Sequence, residues 1–192
     1  MYHFTPAWNG RSVLLNGLVS RNFLLAHDVE FVATDAMRLD DHLDAVSVSI
    51  HSINESMFIK KEREYGGEWL IFELNASLLW THSCRFCWKN AATSEIRNKK
   101  GFLGGPWAFS KMFEDRAIIS TDDRSFRDVL ERTDCQPTDN SAEVQVFHPI
   151  SPNTIINVIV RNERVKVELE ALMQEVEQVK PVVVCEEIFR RG

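Results

Sequence analysis

The chain has 192 residues, enough to bury the core of one compact domain over residues 1–192, and its 44% apolar and 26% charged residues exclude a disordered chain. Its net charge of −6 argues against a protein that coats nucleic acid mainly through bulk charge. No apolar run approaches the roughly 18–20 residues that span a bilayer, and Met1–Pro6 has no basic segment before an apolar one, so we expect a cytoplasmic protein without a membrane partner.

The first half of the chain predicts a helix and two strands. After an extended start, apolar residues at helical spacing predict a helix that Gly17 ends or bends: Val13, Leu14, Leu15 and Leu18. Residues 45–50 alternate small polar with branched apolar side chains, which predicts a strand. Trp69–Leu74 is apolar enough to predict a central strand.

The second half begins with an irregular region. Gly101–Pro106 predicts a loop, and we expect short helices over Phe109–Phe113 and Asp122–Arg132, the second starting at a box formed by Ser125 and Asp128. Beyond it we predict two strands, an amphipathic helix that Pro181 ends, and an edge strand: Glu143–Phe147, Thr154–Val160, a helix from Val165 to Val179, and Val182–Cys185. Because strands and helices do not alternate strictly, an α+β fold is favoured over a doubly wound sheet.

The chain has four cysteines, of which two form a close pair. Cys84 and Cys87 have the spacing of half a zinc site, but Cys135 and Cys185 are isolated, so the second pair that such a site needs is missing. We therefore expect no metal and predict that the cysteines are reduced and buried.

Two familiar kinds of site are missing from the sequence, namely a glycine-rich nucleotide-binding loop and a nucleophile elbow. What remains is a series of short motifs: His3-Phe-Thr-Pro6, Asn9, Leu14-Leu-Asn-Gly-Leu18, Arg38, a strand leading to Met57-Phe58, Asn90-Ala-Ala92 and Ala142-Glu-Val-Gln-Val146. Their order and spacing, from about His3 to Val160, resemble the DarT family of DNA ADP-ribosyltransferase toxins.

The resemblance implies the ADP-ribosyltransferase fold, with two packed, largely antiparallel sheets around an NAD⁺ cleft and flanking helices. It places His3 in the NAD⁺ pocket beside the nicotinamide-side ribose, with Thr5 and Asn9 as further pocket residues. It makes Arg38 the residue that contacts the diphosphate and orients the reactive centre. It also makes Glu143 the catalytic glutamate, and residues 113–142 the substrate-recognition loop before it.

These residue types suit the chemistry of ADP-ribosyl transfer. Loss of nicotinamide leaves an oxocarbenium-like sugar, and a carboxylate such as that of Glu143 can stabilise its developing charge or take a proton from the attacking base. The guanidinium of Arg38 offers planar, bidentate contacts to phosphate oxygens. The imidazole of His3 can donate to a ribose hydroxyl without adding a full charge at neutral pH.

Taken singly, these residues also have simpler interpretations. His3 near the terminus is typical of an exposed or capping residue, and Arg38 beside Asp40 and Asp41 is typical of a surface ion pair. Glu143 fits the polar face of a strand, and Asn90 fits the cap of a helix. It is the joint pattern that indicates a site.

Two departures from the family pattern bear on the target base. Asp139–Ala142 stands where a basic run often precedes the glutamate of the thymine-modifying branch, and residues 46–50 replace a stretch rich in tyrosine and proline. These differences favour the guanine-modifying branch. Alternatives are transfer to RNA or protein, and a non-catalytic module of the same fold that binds NAD⁺ or nucleic acid.

Candidate nucleic-acid contacts lie in the loop region. Basic residues gather in two stretches that suit a local groove: Lys60, Lys61 and Arg63, then Arg85, Lys89, Arg97, Lys99 and Lys100. Tryptophans are in general core residues, but Trp107 in the glycine-rich loop is the best candidate to stack on an unpaired base, with Lys99 and Lys100 nearby in sequence. A single strand suits the chemistry because the target atom must leave the base stack.

The implied activity would poison its own host. The resemblance therefore implies a toxin of a toxin–antitoxin or anti-phage system, with an antitoxin partner such as a macrodomain or related ADP-ribosyl hydrolase. Residues 165–192 lie beyond the strongest resemblance, and we expect them either to complete the core or to dock a partner.

Overall fold

A computed structural model describes residues 1–34, 39–99, 101, 103–115 and 125–190. The strands are β1 (Tyr2–Pro6), β2 (Val46–Val48), β3 (Trp69–Leu74), β4 (Cys84–Cys87), β5 (Glu143–Val146), β6 (Ile155–Val160) and β7 (Val182–Val184). The helices are α1 (Gly10–Asn16), α2 (Arg21–Ala26), α3 (Glu55–Tyr65), α4 (Leu78–Thr81), α5 (Ser94–Arg97), α6 (Pro106–Lys111), α7 (Phe126–Val129), α8 (Glu163–Glu175) and α9 (Glu187–Arg190).

Within the described residues the strands form two sheets. The larger has the order β1-β3-β6-β7, antiparallel except for the parallel pair β6–β7. The smaller is the antiparallel sheet β2-β5-β4. The backbone of Tyr2 exchanges hydrogen bonds of 2.8 and 2.9 Å with Ser49 just beyond β2, which joins the sheets at one corner. The predicted α+β class with two largely antiparallel sheets is confirmed.

Strand β3 is central because both of its faces are buried. Leu70, Phe72 and Leu74 point into a core shared with the smaller sheet, α1 and α8. Trp69 and Ile71 point the other way, into a second cluster: Ile53, Phe58, Ile159 and Phe189. Alternating residues on a strand face opposite sides, so an unbroken apolar strand fits a position between two layers.

Helix α1 ends where Gly17 turns the chain. Gly17 has φ +76°, and a Cβ there would lie 2.0 Å from the carbonyl oxygen of Ile150. Leu18 and Ile150 then exchange backbone hydrogen bonds of 3.0 and 2.8 Å. Glycine is required at this position both by the left-handed backbone and by the close approach.

The C-terminal segment completes the larger sheet. Helix α8 buries Val165, Leu169 and Met173 in the shared core. Strand β7 then pairs with β6 at the sheet edge, as predicted. The Phe189 ring of α9 lies 5.6 Å from Phe58 on the opposite face. Of the two roles expected for residues 165–192, completion of the core is the one that the packing shows.

Some predicted boundaries were wrong. Helix α6 begins at Pro106 rather than Phe109, because proline is favourable in the first helical turn. Helix α8 ends well before Pro181, because Glu177 at φ 54° and the hydrogen bond from the Gln178 amide to the Met173 carbonyl form a Schellman motif. The Ser125/Asp128 capping box of α7 is confirmed.

The tryptophans and cysteines divide between core and surface. Trp69 is buried, but Trp8 and Trp80 are 74% and 72% exposed, so the expectation that tryptophans fill the core was wrong for these two; Trp107, the exception named from the sequence, is 54% exposed. Cys84 and Cys87 are buried as predicted, whereas Cys135 is exposed and Cys185 is half-buried. Cys135 follows α7 in a turn-rich segment that has few apolar residues to cover it.

Candidate active site

A cavity of about 650 Å³ opens beside the corner where β1 and β2 meet. Its walls come from β1, β2, α3, the segment that leads to residue 34, and the start of β5; among the lining residues are His3, Phe31, Ser47, Asn54, Lys60, Asn90, Ser141 and Glu143. The volume lies in the range of about 300–1,000 Å³ that is typical of small-molecule sites. Two of the predicted site residues, His3 and Glu143, therefore share one cavity.

The orientation of His3 is set by a hydrogen bond across the corner. Strand β1 directs its side chain toward β2, where Nδ1 lies 2.9 Å from the carbonyl oxygen of Ser47. Because a carbonyl oxygen only accepts, Nδ1 carries the proton in this contact. In the neutral ring, Nε2 then carries no proton and can accept a hydrogen bond.

Glu143 begins β5, and its carboxylate is held by the backbone. The amide of Ala91 donates a 2.6 Å hydrogen bond to Oε1 of Glu143. The neighbouring amide of Asn90 donates to the Ser141 hydroxyl at 3.1 Å, so the turn after β4 also holds the residues before β5. Charge-assisted bonds of this kind are stronger than hydrogen bonds between neutral groups.

The roles of Asn90 and Ser141 at this turn were only partly predicted from the sequence. Asn90 is not a helix cap: its side chain accepts from the amide of Ala92 at 3.0 Å, and Thr93 occupies the cap position of α5. Ser141 was not among the predicted site residues. Its hydroxyl donates to Asp139 at 2.6 Å, and the signal for it was its position two residues before Glu143 in a turn-rich segment.

A buried polar chain lies next to Glu143 on the same face of the smaller sheet. Gln145 is fully buried, and its amide oxygen accepts a 2.7 Å hydrogen bond from Arg85 on β4. Its amide nitrogen donates to Asp40, a buried residue that also lines the cavity. Arg85 continues the chain to the carbonyl oxygen of Ile96 at 3.1 Å.

Cys87 lies opposite Glu143 in the strand pairing. Burial raises the pKa of its thiol to about 12, and the nearby Glu143 and Asp40 act in the same direction against Arg85. Burial likewise raises the pKa of Cys84 to about 11. The raised pKa values disfavour the thiolate, which is the nucleophilic form of cysteine.

Thr5 and Asn9 lie behind the cavity wall and not among its lining residues. The Asn9 side chain donates to Thr5 at 2.8 Å. It also brackets Val32, accepting from its amide at 2.8 Å and donating to its carbonyl at 3.1 Å. Because Phe31 and Ala33 line the cavity on either side of Val32, Asn9 positions that wall.

Positive charge lines another part of the cavity. Lys60 and Lys61 of α3 and Arg21 of α2 are all lining residues. Helix α3 is started by Asn54, whose side chain accepts from the Met57 amide at 3.1 Å. Lys60 and Lys61 were noted in the sequence only as part of a basic cluster. Their approach to the cavity follows from the packing of α3, which the local sequence does not encode.

The remaining predicted residues fall outside the cavity or outside the described residues. Trp107 and Lys99 lie beyond the turn at Asn90, on the surface beside α6. Arg38, Lys100 and residues 116–124 of the predicted recognition loop lie outside the described part of the chain. The roles of all of these residues stay predictions.

No group of three or more histidine, cysteine, aspartate or glutamate side chains in the described part of the chain is placed to hold a metal ion. None of its helices combines the length and apolar content that crossing a membrane requires.

Comparison with known proteins identifies a family. The family model described as DarT, ssDNA thymidine ADP-ribosyltransferase, matches residues 2–190. No curated protein matches the chain. Similar solved structures include Thermus sp. 2.9 DarT in complex with ADP-ribosylated ssDNA, with a TM-score of 0.68, 14% identity, and coverage of 97% of this chain and 94% of that one.

Two further structures share the fold. Thermus sp. 2.9 DarT in complex with NAD⁺ has a TM-score of 0.64 at 14% identity, with 97% of this chain and 95% of that chain covered. Thermosipho africanus DarTG in complex with ADP-ribose has a TM-score of 0.58 at 12% identity and covers 98% of this chain. The present chain spans only 50% of that DarTG chain. The expected ADP-ribosyltransferase fold is thereby confirmed, and the match over residues 2–190 shows that the chain belongs to the DarT family of NAD⁺-dependent ssDNA ADP-ribosyltransferases.

Proposed function

We propose that the chain transfers ADP-ribose from NAD⁺ to a base of single-stranded DNA, with one ADP-ribosyltransferase domain over residues 1–192. The observation that carries the proposal is the placement of Glu143. Its carboxylate lines a cavity of about 650 Å³ and is held by the Ala91 amide at 2.6 Å. A carboxylate fixed in this way suits a catalyst because its orientation needs no adjustment during the reaction.

Each proposed residue has a separate task. NAD⁺ supplies an ADP-ribosyl group with neutral nicotinamide as its leaving group. Glu143 holds the ribose hydroxyls and accepts the proton that the base nitrogen loses as it bonds to the sugar. His3 borders the same ribose. Arg38 contacts the diphosphate, where Lys60 and Lys61 add positive charge from α3.

Thr5 and Asn9 act in this proposal through the wall that they support. Both were predicted as pocket residues, but the bonds from Asn9 to Val32 point to a positioning role. Trp107, Lys99 and Lys100 remain the proposed contacts to nucleic acid.

The catalytic role is tested by Glu143→Gln. The glutamine keeps an oxygen that accepts from the Ala91 amide but loses the charge, so we expect transfer from labelled NAD⁺ to ssDNA to fall at least about 100-fold. Glu170→Gln, on the exposed side of α8, is the matched control and retains full activity. Equal transfer by the wild type and Glu143→Gln would overturn the assignment of the catalyst.

The acceptor is tested by offering ssDNA, RNA and protein in parallel. We propose ssDNA, and transfer to RNA or protein alone would replace it with one of the two alternatives. Mass spectrometry of the nucleosides then identifies the base. The sequence differences before Glu143 favour guanine, whereas the description of the family model names thymidine; a modified thymidine would reject the guanine proposal.

We also propose that the chain is the toxin of a toxin–antitoxin or anti-phage pair and acts in the cytoplasm, where its DNA target lies. The DarTG name of the Thermosipho africanus relative supports an antitoxin partner, for which a macrodomain-type hydrolase is proposed. Expression in bacteria should slow growth, and Glu143→Ala should relieve the defect. Equal growth with both chains would reject the toxin role.

A further inference from the structure

Two tryptophan rings and two lysines form one surface on and next to α6. We call Trp88, Trp107, Lys99 and Lys111 the tryptophan–lysine surface. The rings of Trp88 and Trp107 meet edge to face, with centroids 5.9 Å apart. Lys99 Nζ lies 5.7 Å from the Trp88 ring and 5.9 Å from the Trp107 ring, and Lys111 Nζ lies 5.8 Å from Trp107. Each lysine is within the range of a cation–π contact.

Both rings are held in place, although Trp107 is exposed and Trp88 is only partly buried. The indole nitrogen of Trp88 donates to Glu95 at 2.7 Å. Trp107 lies in the first turn of α6, which is anchored to β4 by the Phe86–Phe109 ring contact at 5.2 Å. Trp107 is nevertheless 54% exposed. An exposed aromatic ring on a fixed support is a feature of binding surfaces, because stacking on it costs little conformational entropy.

A short turn of the chain connects this surface to the active-site cavity. Trp88 follows Cys87, the residue that pairs with Glu143. Two and four residues later, Asn90 and Ala92 line the cavity, and the amide of Ala91 between them binds Glu143. The turn that holds the catalytic carboxylate thus links the cavity to the two rings.

The local charge favours an anion. Lys89 and Lys111 are paired with Glu95 and Glu114, so these contacts are balanced. Within the described residues, no acidic side chain lies at salt-bridge distance from Lys99. Aromatic rings interleaved with lysines are the usual platform for single-stranded nucleic acid, since bases stack on the rings and cations neutralise the phosphates.

We propose that the tryptophan–lysine surface binds the nucleotide that adjoins the target base on one side. The base of this neighbouring nucleotide stacks on Trp107, and its phosphate lies beside Lys99. The inference rests on the proposed function, because it takes ssDNA as the acceptor. The surface gives ssDNA a second contact, outside the cavity. Paired bases cannot present a free face to Trp107, so this contact selects an unpaired strand.

Direct binding tests the surface without relying on transfer. Fluorescence anisotropy with a labelled ssDNA oligonucleotide should show that Trp107→Ala raises the Kd about tenfold, while Trp107→Phe retains most of the affinity. Trp80→Ala removes a still more exposed tryptophan outside the surface and should leave the Kd unchanged. A Kd within twofold of the wild type for Trp107→Ala would overturn the proposal, as would tryptophan-dependent binding of RNA but not DNA.

A substrate scan then locates the stacked nucleotide. Replacing each nucleotide around the target base by an abasic linker should raise the KM of the wild type about tenfold at one flanking position, with little change in kcat. For Trp107→Ala, an abasic linker at that position should cause no further rise in the KM. Equal losses in both proteins at every position would reject stacking on Trp107. If the wild type binds ssDNA through this surface but transfers nothing to it, the proposed function fails and the surface stands.

Discussion

The two sheets bury different kinds of side chain. The larger sheet buries apolar side chains on both faces of β3, among them Phe72 and Ile71. The smaller sheet buries Val144 and Val146 on one face, but its other face carries Glu143 and Gln145. Apolar packing is non-directional and chiefly stabilises the fold. Buried hydrogen bonds are directional, so the polar face determines where the carboxylate of Glu143, the proposed catalyst, lies.

This comparison predicts that the largest stability effect comes from the larger sheet. Phe72→Ala removes a fully buried ring from the shared core and should lower the free energy of unfolding by about 3–5 kcal/mol. Urea denaturation measures the change. Val167→Ala, on the exposed side of α8, is the control and should stay within about 0.5 kcal/mol of the wild type. A loss below about 1 kcal/mol for Phe72→Ala would contradict the central position of β3.

In the smaller sheet, we expect a moderate loss of stability together with a loss of activity. Gln145→Leu preserves the side-chain bulk but removes the partner of Arg85 and Asp40, at a cost of about 1–3 kcal/mol. Transfer should fall as well, since Gln145 lies two residues from Glu143 on the same strand face. Denaturation and transfer rates check both effects, and unchanged activity would show that the polar chain does not orient the carboxylate.

Exchanging the amide and carboxylate groups of Gln145 and Asp40 distinguishes the effect of their hydrogen bond from the effect of side-chain packing. Gln145→Glu combined with Asp40→Asn reverses the hydrogen bond between these positions, because the new amide donates and the new carboxylate still accepts from Arg85. The double variant should recover at least half of the activity lost by each single variant. Coupling near zero in the double-mutant cycle would mean that the two side chains do not act together.

A smaller effect is expected at the cavity wall. Asn9→Ala removes both hydrogen bonds to Val32 and should cost about 1–2 kcal/mol of stability while raising the KM for NAD⁺. Hydrogen exchange at the Val32 amide should become faster. Asn16→Ala, on the exposed end of α1, is the matched control. A KM equal to that of the wild type would indicate that the wall does not depend on Asn9.

The cysteines of β4 give an effect on stability that depends on pH. In the folded chain the pKa of Cys84 is raised from 9.0 to about 11, and that of Cys87 from 9.0 to about 12. A raised pKa contributes stability that is present below pH 9 and is lost as the pH rises through the folded pKa. Denaturation at pH 8 and pH 10 should show this decrease. At pH 8, a thiol reagent should label exposed Cys135 before either buried cysteine, and rapid labelling of Cys87 would contradict its burial.

The sequence was most informative where the local pattern and the packing agree. β3 matches its predicted limits because its unbroken apolar run has one stable position, between two layers. The end of α8 was missed because a Schellman motif at Glu177 closes the helix before Pro181 is reached. Left-handed backbone at a glutamate is not signalled by residue type, since glycine and asparagine are the usual residues there.

The site was only partly predictable for a related reason. His3 and Glu143 came from the family pattern, and both line the cavity. Gln145 and Asp40 were not predicted, because their hydrogen bond joins residues 105 positions apart and no local pattern reports such a contact. Asn9 was assigned to the pocket but supports its wall, a distinction that only the positions of the backbone atoms reveal.

The hydrogen bond between Ala91 and Glu143 has a genetic consequence. Its donor belongs to the backbone, so every amino acid except proline at position 91 still carries the N–H that orients the carboxylate of Glu143, the proposed catalyst. Most missense changes at that codon therefore leave the donor intact. If loss of transfer activity is selected, substitutions at Glu143 should therefore be recovered more often than substitutions at position 91.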